Sequence, residues 1–356
     1  MATETAPVHS MLLTNGKRFT FTSNEATTTE QIPCIDVVRM RSDSLADRRA
    51  LAEDIRAAAH DIGFFCITNH GVPMEQAADV IEQAKHFFAQ PLDKKMEVST
   101  DLIPNEYCGY HAMEQYNPNG RKKRDLYEAF NWNYNPARDP DYPDPTIAQI
   151  NLWPADMPLV EETFTTYQAT MIRFARSLTR LFALALHLPE TAFDDSVHRP
   201  EAGLRVLHYP QQTSHRDDQN GIGAHTDVEF FTIIACDTEG LEVLGKSGNW
   251  IKVKPIPGAF VVNIADCFMR LTNDFFVSTV HRVINQSGRE RYSVPFFWGF
   301  DRKTMLNPVE TCVSEENPPR YKLMTAGEYY EWRTRRQKVS WVKGEQAGTC
   351  EMTPSA

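Results

Sequence analysis

In the stretch GIGAHTDVEFFTII (Gly221 to Ile234), a histidine and an aspartate stand two residues apart at the edge of an apolar run that reads as a β-strand. Residues i and i+2 of a strand share a face, so His225 and Asp227 project together. An ionised carboxylate taken out of water needs a counter-charge or a metal. A third ligand would have to come from another strand. Of the 11 histidines, His281 in STVHRVIN is the best candidate, because it sits mid-strand between β-branched residues. Two imidazoles and one carboxylate, with positions left open, are the donor set of non-haem Fe(II) sites that activate oxygen. Zinc accepts the same donors, which keeps a hydrolase in play. A second His-x-Asp, His215 and Asp217, lies in the polar stretch QQTSHRDDQNG and reads as a surface loop.

Ten residues beyond His281, RERYSVPFF places Arg291 and Ser293 on one face of a following strand. A guanidinium fork beside a hydroxyl suits the far carboxylate of a dicarboxylic acid, which it grips through two parallel hydrogen bonds. A zinc hydrolase would have no evident use for that pair. Phe230, Phe231, Phe296 and Phe297 flank these motifs; alternate rings are expected either to shield the site or to pack the outer core.

These residues need a scaffold, and the hydrophobic pattern supplies one. IPCIDV opens the ordered chain as a strand, SLADRRALAEDIRAAAHDIG is an amphipathic helix stopped near Gly63, and FFCITNHGVP is a strand closed by a turn. MEQAADVIEQAKHFFAQP is a second helix halted by Pro91. From 105 to 155 the composition is that of a long ordered loop, and 160 to 187 carries the longest helical stripe. Beyond 203 the period switches to short strands: LRVLHYP, FFTIIACD, LEVLG, WIKVKPI, AFVVNIAD, STVHRVIN and YSVPFFWGF. Strands at that spacing predict a jelly-roll. A capping box at Thr325 and Glu328 starts a last helix. The expected class is α+β, mainly β: a double-stranded β-helix core backed by helices, with an N-terminal α/β region.

Composition narrows the function. A net charge of −10 argues against a nucleic-acid surface, and the short run Arg121 to Arg124 reads as a solvated loop. No apolar run approaches a membrane span and the opening residues carry no secretory pattern, so a cytoplasmic protein is expected. Seven scattered cysteines without a CxxC pair read as reduced, structural thiols.

The ordered series IPCIDV, IGFFCITNHGVP, FFAQPLDKK, YCGY, LYEAF, NLWP, LRVLHYP, GAHTDVEFFTII, GLEVL, GNWIKVKPIPGAFVVNIAD, LTND, STVHRV and RYSVPFF resembles the isopenicillin N synthase-like group of Fe(II)/2-oxoglutarate-dependent dioxygenases. The resemblance implies a lead-in over 1–31, an N-terminal dioxygenase region over 32–155, a backing helix region over 156–198, the jelly-roll core over 199–302 and a C-terminal helix and tail over 303–356. It implies His225, Asp227 and His281 as iron ligands, and Arg291 and Ser293, with Tyr209, as the holders of the cosubstrate carboxylate. The cofactors implied are Fe(II), 2-oxoglutarate and O2, with ascorbate as a candidate reductant. The reaction implied is oxidation of a small molecule, by hydroxylation, desaturation or ring closure, coupled to decarboxylation of 2-oxoglutarate to succinate. By analogy with relatives, Tyr110, His111, Glu128, Phe130 and Asn131, and at the strand end Trp298 and Phe300, are expected to touch substrate. The chain departs from many relatives at Ala265-Asp266 and at Thr272-Asn273-Asp274, both turn positions. An oxidase of this fold that uses no 2-oxoglutarate and a non-catalytic binding protein are the alternatives; a monomer and a homodimer are both compatible.

Overall fold

The computed structural model describes residues 8–12, 18–22, 31–103, 106–114, 124–147, 150–212 and 220–333. In chain order the strands and helices are β1 (Val8–Leu12), β2 (Arg18–Thr22), β3 (Cys34–Asp36), α1 (Leu45–Asp61), β4 (Phe64–Thr68), α2 (Met74–Phe88), α3 (Leu92–Met96), β5 (Gly109–His111), β6 (Glu128–Trp132), α4 (Pro158–Ala185), β7 (Glu201–Tyr209), β8 (Ile222–His225), β9 (Phe231–Cys236), β10 (Leu241–Leu244), β11 (Trp250–Lys252), β12 (Phe260–Ile264), α5 (Asp266–Leu271), β13 (His281–Val283) and β14 (Arg291–Gly299). Residues 326–333 are helical, and Thr325 and Glu328 bond reciprocally as a capping box.

Two sheets build the core. The larger runs β3-β4-β12-β9-β14-β7-β6-β5, and the smaller runs β11-β10-β13-β8. All pairings within them are antiparallel except β3 with β4. The larger sheet has two apolar faces, so its strands read as continuous hydrophobic runs. One face packs on α1, α2 and α4, where Phe182 of α4 meets Phe65, Phe230, Phe231 and Phe268. The other face, with Phe64, Leu207, Tyr209, Ile234 and Val261, packs toward Val243 and Val283 of the smaller sheet. This second space is the inside of the barrel.

The period of two assigns every side chain of β14. Tyr292, Val294, Phe296 and Trp298 belong to the helix-side core, which turns Arg291, Ser293 and Phe297 inward. Trp298 is fully buried and donates its indole N–H to Thr179 Oγ1 on α4 at 2.9 Å.

Two local features differ from the sequence expectation. The span 105–155 contains two paired strands, β5 and β6, as well as loop. All five residues of β6 are buried, with Glu128 and Asn131 among them, so no polar alternation betrays the strand. A short helix, α5, follows β12 where only a turn was expected. Its exit is the Asn273-Asp274 departure, and both residues take positive φ, 52° and 66°. Their side chains stabilise that conformation: Asn273 donates to Pro318 O and accepts from Arg320 N, while Asp274 pairs with Arg320 and Tyr321. A glycine is therefore not required there. At Gly63 it is. With φ at +68°, a Cβ would lie 2.0 Å from Val277 O, and this turn feeds α1 into β4.

The placement of Trp298 generates a prediction. Trp298→Ala removes a wholly buried ring and its hydrogen bond, and the expected loss is about 3–5 kcal/mol in urea denaturation. An unchanged midpoint would put the ring outside the core.

Candidate metal and cosubstrate site

β8 delivers His225, the loop behind it delivers Asp227, and β13 delivers His281, whose Cα is the register partner of His225. The ring centroids of the two histidines are 4.2 Å apart. Asp227 Oδ1 lies 3.7 Å from His225 Nε2 and 3.6 Å from His281 Nε2. The three donor atoms fall within 4.8 Å of one another, and this is the single such cluster of His, Cys, Asp and Glu among the described residues.

Neighbours aim each donor. His225 Nδ1 lies 2.8 Å from Gly223 O, and His281 Nδ1 lies 3.2 Å from Thr279 O. Carbonyls only accept, so each Nδ1 carries the proton and each Nε2 presents its lone pair inward. Burial, with His281 beside it, pushes the His225 imidazole down to about 4, which keeps it neutral near pH 7. Asp227 Oδ2 accepts from Thr232 Oγ1 at 2.6 Å and from Asn263 Nδ2 at 2.7 Å. Burial opposes its charge, but the two imidazoles and these hydrogen bonds hold the carboxyl below its ordinary value. An anionic oxygen and two imine nitrogens thus face one point, with their other polar atoms already satisfied. This is a donor set for a divalent cation, and it fits iron.

Deeper in the barrel, Arg291 is 1% exposed. Its Nε donates to Thr238 O at 3.2 Å, its Nη1 has no hydrogen-bond partner, and no carboxylate pairs with it among the described residues. The guanidinium lies 4.8 Å from the centre of the Tyr209 ring. Ser293 and Tyr209 are buried beside it, and burial holds the Tyr209 phenol protonated, above its ordinary range. A buried cation is costly without an anion. Arg291, Ser293 and Tyr209 fit the carboxylate of a bound dicarboxylic acid.

The expected substrate residues divide by face. His111 and Asn131 turn into the barrel: His111 stacks on Tyr127 at 5.5 Å, and Asn131 accepts from Arg205 Nε at 2.6 Å. Burial, then the charge of Arg205, pushes His111 down to about 3. Tyr110, Glu128, Phe130, Trp298 and Phe300 do not face the site. Phe130 packs on Phe87, Trp153 and Phe164, and Phe300 stacks on Phe230 at 4.3 Å. Glu128 accepts from Lys95 at 2.8 Å and from Tyr110 Oη at 2.7 Å, and meets His208 Nδ1 at 2.8 Å, a buried junction on the helix side. The reason is strand parity: these side chains stand on the outer register of β5, β6 and β14. By the same parity Phe231 and Phe296 pack the outer core, Phe230, which precedes β9, joins them there, and of the four flanking rings Phe297 alone lies on the inward register. His215 and Asp217, the second His-x-Asp, lie outside the described residues, as do Arg121 and Cys350; the six cysteines that are described carry no disulfide.

Sequence reasoning passed over three residues of the site, Thr232, Asn263 and Arg205, and left open which of the four flanking rings turns inward. Thr232 and Asn263 orient Asp227, and the signal for Asn263 was an amide inside the apolar run AFVVNIA. Arg205 and Phe297 share registers with Tyr209 and Arg291, so a count in twos along β7 and β14 reaches both.

Comparison with known proteins agrees with this geometry. Residues 32–156 match the family described as non-haem dioxygenase in morphine synthesis N-terminal, and residues 200–299 match the 2OG-Fe(II) oxygenase superfamily. A 2-oxoglutarate-Fe(II) type oxidoreductase, ppzC of Metarhizium majus, is 38% identical over 312 residues, 82% of this chain and 83% of the relative. The homoarginine-6-hydroxylase 2-ODD-233 of Oryza sativa is 33% identical, covering 72% of this chain and 79% of the relative. Among solved structures, a 2OG-Fe(II) oxygenase family protein from Caulobacter crescentus superposes with a TM-score of 0.75 at 27% identity, over 87% of this chain and 99% of that one. JOX2 in complex with 2OG, Fe and JA superposes with a TM-score of 0.73 at 27% identity, over 91% and 90%.

The barrel, with its helical backing, is that of the iron-dependent jelly-roll oxygenases. The chain belongs to the 2OG-Fe(II) oxygenase superfamily and is a non-haem Fe(II)/2-oxoglutarate-dependent dioxygenase. Fe(II) and 2-oxoglutarate are its cofactor and cosubstrate. No helix among the described residues is long and apolar enough to cross a membrane.

Second-layer orientation of a metal ligand is worth about 10–100-fold in metal affinity. Asn263→Ala is therefore expected to weaken Fe(II) binding by that factor in anaerobic chelator competition, with the circular dichroism unchanged. Unaltered affinity would show that Asn263 does not orient Asp227.

Proposed function

We propose that the protein hydroxylates a small organic molecule of specialised metabolism while 2-oxoglutarate is decarboxylated to succinate, with His225, Asp227 and His281 holding the iron. The carrying observation is Arg291, a buried guanidinium without an acidic partner among the described residues, in the same barrel as the three convergent donors. In this reading Arg291, Ser293 and Tyr209 bind the 5-carboxylate of 2-oxoglutarate. Relatives named for small molecules, the homoarginine hydroxylase and the JA-bound JOX2, support a substrate of that size. The reading also places the protein in the cytoplasm.

When bound, the iron and its cosubstrate supply the oxidising chemistry for a C–H bond. The chain's own residues do the rest. Thr232 and Asn263 keep the Asp227 lone pairs turned to the two imidazoles, the carbonyls of Gly223 and Thr279 keep the imidazole protons away from them, and Tyr209 donates its hydroxyl proton toward the cosubstrate carboxylate. Apolar walls of Leu207, Ile234, Val243 and Val261 exclude water around the clamp, which strengthens each of these interactions.

Two variants separate the roles. His225→Ala is expected to abolish succinate formation. Arg291→Met is expected to raise the Kd for 2-oxoglutarate by about tenfold or more, read anaerobically from the visible charge-transfer band of the iron complex, because a hydrogen-bonded ion pair is lost. Arg291→Met with normal cosubstrate affinity would remove the clamp.

A further inference from the structure

Asp227 lies between β8 and β9, outside both strands, so no ladder of its own holds its backbone. The start of α5 holds it instead. The first N–H groups of a helix have no partner within the helix, and here those of Asp266 and Cys267 donate to Asp227 O and Val228 O, each at 3.0 Å, while Ala265 N donates to Phe230 O at 3.1 Å. The position of Asp227 therefore follows the position of α5. Asp266, the first residue of α5, is 1% exposed. An acid in a first helical turn ordinarily stands in solvent, where the helix dipole favours it; a buried one needs donors. They come from two sides. Thr226 Oγ1, from between His225 and Asp227, donates to Asp266 Oδ2 at 3.3 Å. From the helix of residues 326–333, Tyr329 Oη donates to the same oxygen at 3.3 Å and Arg333 Nη2 stands 3.4 Å from it. Arg333 Nη2 also donates to Thr226 O at 3.4 Å. One carboxylate oxygen and one guanidinium thus join the metal-ligand segment, α5 and the C-terminal helix. Tyr329 and Arg333 are four residues apart and share a face of that helix, which is seated on the core by Tyr330, whose hydroxyl accepts from Phe300 N at 3.1 Å.

We propose that Asp266 is a positioning residue for the iron site, and that the helix of residues 326–333 sets the iron affinity through it. Arg333 balances the buried carboxylate, Tyr329 and Thr226 complete its hydrogen bonds, and the fixed carboxylate keeps the N–H groups of α5 against the carbonyls of Asp227 and Val228. Asp266 and Arg333 touch neither iron nor substrate; both act through the backbone that carries Asp227. This rests on the reading of His225, Asp227 and His281 as the iron ligands and adds to it a support supplied by the C-terminal helix.

The test measures the Fe(II) affinity of the full-length protein by anaerobic chelator competition, with urea denaturation of the metal-free protein alongside. Asp266→Asn keeps the shape of the side chain and removes its charge, and is expected to weaken Fe(II) binding about tenfold or more, the scale of a lost outer-layer partner. Arg333→Met, at a half-buried position on the last described turn, is expected to weaken it about threefold or more, the worth of a modest hydrogen bond. Arg333→Lys should recover part of that loss. Because both residues act through one contact, the double variant, Asp266→Asn with Arg333→Met, should bind Fe(II) about as well as Asp266→Asn alone, the non-additivity of groups in contact. Hydrogen exchange of the Asp266 and Cys267 amides should be faster in Arg333→Met than in the wild type. An unchanged Kd for Fe(II) in either single variant, with a lowered urea midpoint or without one, overturns the inference by reducing the contact to a structural one. Fully additive losses in the double variant overturn it too, by separating the two residues. Unchanged Fe(II) affinity in His225→Ala would instead overturn the ligand reading on which the inference rests.

Discussion

Asp227 sets the terms for the rest of the structure. It is a carboxylate removed from water, between two imidazoles that are themselves neutral acceptors at Nε2. Such an arrangement is repulsive toward anything but a cation. Every neighbour is arranged to keep it so. Thr232 and Asn263 occupy the outer oxygen, and two backbone carbonyls draw the imidazole protons to the opposite edge of each ring. The cost of holding that charge in a dry barrel is offset when metal binds, which couples metal affinity to the integrity of the strands that carry the ligands.

A second unsatisfied charge of opposite sign sits deeper in the same barrel. Arg291 and the Asp227 cluster come from different strands, yet the fold brings them into one enclosed space, the larger sheet contributing Arg291 and the smaller sheet contributing the histidines. A dicarboxylate that chelates metal at one end and meets a guanidinium at the other answers both charges at once. α5 backs the segment that carries Asp227, its Asp266 N–H donating to Asp227 O, whereas α1, α2 and α4 stand outside this space. Those three helices cover the outer face of the larger sheet, and their contribution is rigidity: α4 is tied to β14 through Trp298 and Thr179, and Phe182 inserts among the rings beneath β9.

Much of this was legible in the residues. His225 and Asp227 announced themselves as two polar groups at the lip of an apolar strand, and Arg291 with Ser293 as a polar pair inside another. The seven strand segments beyond residue 203 correspond to β7 and β9 to β14, because turn residues punctuate them at short intervals. What stayed hidden has physical causes. β5 and β6 are buried on both faces and contain Glu128, whose charge is neutralised by Lys95 from a remote helix, a pairing no local pattern reveals. The expectation that Tyr110, Glu128, Phe130, Trp298 and Phe300 touch substrate rested on family position, and their outward side chains follow from strand parity instead. A two-residue count from Arg291 rejects Trp298 and selects Phe297.

The central claim is that three side chains converge on one ferrous ion while Arg291 receives the far end of its cosubstrate. A crystal structure of the anaerobic Fe(II)·2-oxoglutarate complex, with anomalous data at the iron edge, tests it most directly. The account predicts one anomalous peak bonded to His225 Nε2, His281 Nε2 and an Asp227 oxygen, with the 5-carboxylate of 2-oxoglutarate on Arg291. A peak elsewhere, or a cosubstrate oriented away from Arg291, would contradict it.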